Sequence, residues 1–257
     1  MREKELRLAL VCYGGISLAV YMHGITKEIW HLTRASRAFH DGVAPQGASE
    51  AVYHRLLADI EAASGTRLRI LPDIIAGASA GGINGIFLAQ AIETGQSLEP
   101  LTALWLDNAD VDELLDPDAR PARALPKFWA PPLGWLAARR PGDAVERTVA
   151  PDTREEVRMK LSRFIRSRWF EPPFGGEIFS TMLLDAFDAM AATPAGPSLL
   201  PDGHPLDLFV TVTDFDGHVQ SLSLNSPPQV IETEHRLSIG FLGRGGSASG
   251  VADPAEL

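Results

Sequence analysis

Leu68-Arg69-Ile70-Leu71-Pro72-Asp73-Ile74-Ile75-Ala76-Gly77-Ala78-Ser79-Ala80-Gly81-Gly82 decides how this chain folds. An apolar, strand-like run from Leu68 to Ile75 leads into Gly77-Ala78-Ser79-Ala80-Gly81, a G-x-S-x-G pentapeptide. A small-residue helical stretch, Gly82 to Ala91, follows it. A serine at the sharp turn between a buried strand and a helix is held in a strained, exposed pose above the sheet. The flanking glycines let strand and helix approach where a Cβ would clash. The helix aims its free N–H groups and positive dipole end at any oxyanion formed there. Ser79 is therefore the candidate nucleophile, and Gly77, Ala78, Ser79, Ala80 and Gly81 form the candidate elbow.

Outward from the elbow, the first half reads as alternating α and β. Leu6 to Tyr13 is a strand candidate ending in Gly14-Gly15, and Ser17 to Arg37 has helical spacing, with Leu18, Tyr21, Met22, Ile25, Ile29 and Leu32 on one side. A second helix, about Tyr53 to Ala63, closes at Gly65 before the elbow strand. Strand–helix–helix–strand–helix implies an α/β fold, with a parallel-centred sheet flanked by helices on both faces. Helical patterns recur at Leu101 to Leu115, Glu155 to Trp169 and Ile178 to Met190, around a Pro- and Arg-rich excursion at Asp116 to Pro151. Leu206 to Thr213, Val219 to Leu224 and His235 to Phe241 read as strands, with Asp216-Gly217 as a hairpin turn. Residues 1–242 are expected to form one domain, and the Gly/Ser/Ala-rich residues 243–257 a flexible tail.

Composition narrows the function. A chain of 257 residues, 45% of them hydrophobic, can bury a large core, and its net charge of −10 offers no basic stripe for a nucleic-acid backbone. Nucleic acid is therefore not an expected partner. The single cysteine, Cys12, suits a reducing compartment, and the mixed-sign start Met1-Arg2-Glu3-Lys4-Glu5 makes a poor signal peptide, so a cytoplasmic location is expected. Ile74 to Ile92 is nearly all apolar or small, with Gly77, Gly81 and Gly85 at G-x-x-x-G spacing. A strand, an elbow and a buried helix account for these residues better than a membrane span does. The segment Lys127 to Trp135, followed by Arg139-Arg140, pairs aromatic anchors with cations, a composition that suits either peripheral membrane contact or a loop packed on the core. No histidine has metal-ligand spacing, so neither a metal nor a cofactor is expected.

Acyl transfer at Ser79 needs at least two N–H donors on the developing oxyanion. Ala80 can give one, and the glycine-rich turn Gly14-Gly15 can give the other, unless it is simply a tight strand-to-helix turn. The proton acceptor is less evident. Asp216 is a candidate and Asp202 a weaker one, although both Asp-Gly pairs also suit plain turns. Asp73 stands too far back on the strand.

In these motifs the chain resembles the patatin-like phospholipases. That family opens with a strand, a glycine-rich anion loop and a helix, then presents G-x-S-x-G and uses a Ser-Asp dyad without histidine. Gly14-Gly15-Ile16 resembles the core of the loop, and Gly77 to Gly82 resembles the elbow with its extra glycine. Leu208 to Asp214 resembles a strand lying between elbow and catalytic aspartate. The run from Gly14 to Met22 is most similar to the large bacterial patatin-related proteins. The resemblance implies a lipid acyl hydrolase acting on lipid or other acyl esters. Cys12, Tyr13 and Ser17 depart from the plant-type loop, which has Asp, Gly and Arg there, so backbone N–H groups would hold the oxyanion alone. No D-G-G or D-G-A turn follows a small-residue helix, so the resemblance implies a fold incomplete at its C-terminus, with the dyad aspartate outside this chain and no acid or histidine of residues 1–257 bonded to Ser79. Two other readings stay open. One is an α/β-hydrolase triad using His218 or His235, and the other is an inactive lipid- or anion-binding module.

Overall fold

Residues 2–15, 18–108 and 176–244 are described by the structure, a computed structural model. In chain order the elements are β1 (Arg2–Cys12), α1 (Ala19–Asp41), α2 (Ala48–Ser64), β2 (Thr66–Ala78), α3 (Ala80–Thr94), α4 (Leu101–Asn108), α5 (Gly176–Ala191), β3 (Pro205–Ser223) and β4 (Gln229–Arg244). The chain divides into two compact units: Met1–Trp105 with Ala186–Leu257, and Leu106–Asp185. The first unit holds the whole described sheet and the elbow.

The sheet runs β1-β2-β3-β4, with β1, β2 and β3 parallel and β4 antiparallel to β3. This is the mixed, mostly parallel α/β arrangement the strand–helix alternation implies. Beneath α1 and α2, Phe39, Leu57 and Ile70 form a cluster onto which Leu8, Leu32 and Leu68 pack. Each large side chain so buried stabilises the fold by about 1.5–3 kcal/mol. β3 pairs with β2 only from Ile74 onward, which leaves the lower half of β2 with an open edge. Helix α1 covers that edge: Ile70 N donates to Ser36 Oγ at 2.9 Å and Arg67 Nη2 donates to the Phe39 carbonyl at 2.8 Å.

β2 carries Pro72 in mid-strand, where a missing N–H would break the ladder. A bulge sits there: Leu8 pairs with Pro72 and Ala9 with Ile74, so Asp73 is an extra residue. Its carboxylate, 1% exposed, accepts from Arg7 Nε at 2.6 Å and bonds His204 Nε2 at 2.8 Å. This cluster ties β1, β2 and the approach to β3 together.

Helix α1 buries a different face from the apolar stripe its spacing suggests. Met22 is buried but Leu18, Tyr21 and Ile25 are exposed, while Ala19, His23, Thr26, Trp30, Thr33 and Ser36 face inward. Small residues permit close approach, and the buried hydroxyls are satisfied locally: Thr26 and Thr33 donate to the Met22 and Ile29 carbonyls at 3.0 and 2.7 Å. Helix α2 begins at Ala48, five residues before its expected start at Tyr53, and ends at Gly65 as expected. The hairpin turn is also displaced. Asp216-Gly217 lies inside one continuous β3, in an excursion of Asp214 to Gly217 opposite His235. Gly217, at φ 73°, returns the chain to register, and the turn itself runs from Leu224 to Pro228, closed by Leu224 N to the Pro228 carbonyl at 3.2 Å.

The expected excursion at Asp116 to Pro151, the aromatic–cationic segment at Lys127 to Trp135, the helix at Glu155 to Trp169 and residues 245–257 lie outside the described residues. Gly243 and Arg244, at the expected start of the tail, belong to β4. Among the described residues no helix is long and apolar enough to cross a membrane.

Candidate active site

Ser79 stands at the junction of β2 and α3, exposed, at φ 54° and ψ −132°. It is the one non-glycine residue with positive φ among the described residues. Such a backbone costs on the order of 1–3 kcal/mol and persists only where its surroundings over-determine it. Here glycines do so. A Cβ on Gly77 would lie 2.6 Å from the Gly81 carbonyl oxygen, and one on Gly82 would press Val210 Cγ1 at 3.1 Å. Strand β2 and helix α3 therefore meet backbone to backbone, forcing the reversal at Ser79.

Helix α3 is apolar almost all round, as befits a buried helix, with Phe87, Leu88, Ala91 and Ile92 inside. Its first intrahelical bond from the elbow is Ile83 N to the Ser79 carbonyl at 3.1 Å. The amides of Ala80, Gly81 and Gly82 thus have no intrahelical acceptor. No acidic residue occupies the first turn, so its positive end is not neutralised within the helix.

The glycine turn after β1 packs directly on this elbow. A Cβ on Gly14 would fall 2.6 Å from Ser79 Cβ and 2.8 Å from the Ala78 carbonyl oxygen. One on Gly81 would overlap the Cys12 carbonyl and come within 2.9 Å of Tyr13 O. Gly15 adopts φ 145°, which L side chains rarely reach, and its carbonyl accepts from Leu18 N at 3.0 Å. The structure thus packs Gly14 against Ser79 and Ala78, while Gly15, next in the chain, faces Leu18. Cys12 stands beside them, and burial pushes its thiol pKa up.

The acids and histidines stand elsewhere. Among the described residues no carboxylate or imidazole is hydrogen-bonded to the Ser79 hydroxyl. Asp216 and Asp202 are exposed, Asp216 on the β3 excursion. Asp73 is occupied by Arg7 and His204. His218 is exposed, and His235 Nδ1 bonds the Asp214 carbonyl at 2.9 Å. His23 is buried against Thr102 Oγ1 at 3.0 Å; burial and then Lys27 push its pKa down to about 4, against a smaller upward pull from Glu99. Lys27 donates to the same Thr102 oxygen at 3.1 Å, so the threonine hydroxyl is left to donate to a neutral imidazole. Among the described residues no group of three or more acids, cysteines or histidines could hold a metal.

One residue near the elbow has no counterpart in the sequence reading. Asn84, 1% exposed, donates from Nδ2 to the Ala80 carbonyl at 3.0 Å and to the Ala19 carbonyl at 3.3 Å. Its Oδ1 is buried without a partner, which costs about 1–3 kcal/mol. The available signal was a lone buried amide in an otherwise apolar helix.

Comparison with known proteins gives two matches. The family model described as patatin-like phospholipase matches residues 10–213. The chain is also 37% identical, over 121 residues, to the uncharacterized membrane protein Rv3479 of Mycobacterium tuberculosis. That alignment covers 44% of this chain and 11% of the relative, so the chain spans only a small part of the relative's length. No solved structure matches it.

Proposed function

We propose, since this chain belongs to the patatin-like phospholipase family, that it hydrolyses lipid acyl esters with Ser79 as nucleophile. The observation that carries the reading is the strained backbone of Ser79, clamped between glycine contacts with the Gly14 turn packed against it. Ser79 Oγ attacks the ester carbonyl while its proton passes to a carboxylate. The carbonyl electron pair moves to oxygen, where the amides of Ala80 and of Gly14 and Gly15 receive it. Collapse expels the alcohol, which takes that proton back from the carboxylic acid, and leaves an acyl-serine; water, deprotonated by the same carboxylate, then attacks it, releasing the fatty acid and returning the proton to Ser79. Among the described residues Asp216 stays the candidate for the proton acceptor. Exposed Tyr13, Leu18 and Tyr21 flank the glycine turn and support peripheral contact with lipid.

Ser79→Ala tests this reading. The variant should fold as the parent does and lose ester hydrolysis by about three orders of magnitude or more. A fluorophosphonate should label the parent at Ser79 and leave the variant unlabelled. Parent-level hydrolysis by Ser79→Ala would overturn the proposal. Asp202→Asn, Asp214→Asn and Asp216→Asn, assayed together, identify which of these carboxylates, if any, takes the proton.

A further inference from the structure

The loop bearing Gly14 and Gly15 leaves β1 at Cys12 and enters α1 at Ala19, and both of its ends rest on the start of α3. At the leading end Gly81 lies against the Cys12 and Tyr13 carbonyls so closely that only a glycine fits. At the trailing end the Asn84 amide donates to the Ala19 carbonyl at 3.3 Å. Gly81 and Asn84 are three residues apart on a helix, so the two attachments share one face. The same amide holds the Ala80 carbonyl at 3.0 Å, which fixes the side chain to the residue that follows Ser79. The orphaned Oδ1 of Asn84 argues that stability did not select this side chain. A leucine of the same shape would fill the site without a stranded acceptor.

We infer that Asn84 is a positioning residue: by pinning the first carbonyl of α1 to α3, it sets how far the Gly14-Gly15 amides stand from Ser79. It touches no substrate and acts through that turn. The inference rests on the acyl-hydrolase reading for its catalytic consequence, and on the geometry alone for the tether.

The test uses Asn84→Leu and Asn84→Asp in the full chain, read by hydrogen exchange, by the rate of Ser79 labelling with a fluorophosphonate, and by melting. Asn84→Leu should melt no lower than the parent. Its amides at Gly14, Gly15, Leu18 and Ala19 should exchange about fivefold to tenfold faster, and Ser79 labelling should slow by about tenfold, the loss of one hydrogen bond. In Asn84→Asp the ionised carboxylate faces two carbonyls and repels them, but the protonated acid donates again, and burial raises the pH at which it protonates. Its labelling rate relative to the parent should therefore climb as pH falls from about 8 to about 5, a profile a merely space-filling residue would not produce. Unchanged loop exchange in Asn84→Leu, or a flat ratio for Asn84→Asp, overturns the tether. If the parent itself is never labelled at Ser79, the hydrolase reading fails. The exchange result then decides the tether alone, faster loop exchange supporting it and parent-like exchange overturning it.

Discussion

The elbow and the β3–β4 ribbon both depend on glycines that a side chain could not replace freely, yet the two are built on opposite terms. At the elbow a Cβ on Gly81 would strike backbone, the Cys12 and Tyr13 carbonyls. In the ribbon a Cβ on Gly217 would meet Thr233 Cγ2 at 2.5 Å and His235 Cε1 at 2.9 Å, the ends of exposed side chains. Backbone in a parallel sheet cannot step aside, whereas a surface threonine can rotate. The elbow is therefore a place where geometry is imposed, and the ribbon one where it is merely accommodated.

Gly81→Ala should break the first region outright. It forces β1 away from α3 and should cost more than about 4 kcal/mol, the range reserved for core overpacking and backbone strain. Chemical denaturation would measure it, and a loss below about 1 kcal/mol would mean the two motifs are less tightly joined than described. Asp73→Ala should come next. It removes the buried partner of Arg7 and His204, and because Arg7 is more than half exposed the cost should fall to about 2–3 kcal/mol, below that of breaking a fully buried pair. Chemical denaturation beside the parent would measure it, and a loss below about 0.5 kcal/mol would show that the cluster does not hold the strands together. Gly217→Ala, by contrast, should cost only about 1–2 kcal/mol, the penalty of a left-handed residue, with no change in Ser79 labelling.

Acid provides a graded probe of the sheet's helical cover. The pKa of His23 is held at about 4 in the folded protein, below the 6.5 of a free imidazole. The folded state thus binds this proton more weakly than the unfolded chain does. Its stabilising contribution is complete above about pH 6.5 and is lost as pH falls toward 4, with no further loss below. Melting temperature followed over that range should fall less in His23→Gln, whose amide can accept from Thr102 at any pH. Identical slopes for the two proteins would show that His23 is not the group responsible.

These contrasts mark what the sequence makes legible. The elbow is local: fifteen consecutive residues state a strand, a turn and the start of a helix, and the Gly14-Gly15 turn ends the strand that pairs with it in parallel. The Asp73 cluster is not local, since its partners lie 66 and 131 residues away. Gly217 does adopt the positive φ that the Asp-Gly pair suggests, but a bulge uses that conformation as readily as a hairpin does. For α1 the periodicity is sound and the chosen face is not, because Thr26 and Thr33 donate within the helix and Ser36 accepts from Ile70 N on β2, so three buried hydroxyls pass for polar surface in the sequence. Asn84 offers only the faint signal of one amide in an apolar stretch, and its two carbonyl partners are what reveal a task.

The extra residue at Asp73 also acts as a phase shifter. Below it the even-numbered side chains of β2, Leu68 and Ile70, face α1 and α2; above it the odd-numbered Ile75 and Gly77 face α3. Strand parity has been inverted once, so both halves serve the same helical layer. Without that inserted beat, everything downstream would turn over by half a period, and Ser79 would leave the sheet on the wrong side. The orientation of the nucleophile is in this sense counted out by the strand six residues earlier, and a one-residue deletion between Leu71 and Ile74 should abolish labelling of Ser79 while leaving every residue of the elbow motif in place.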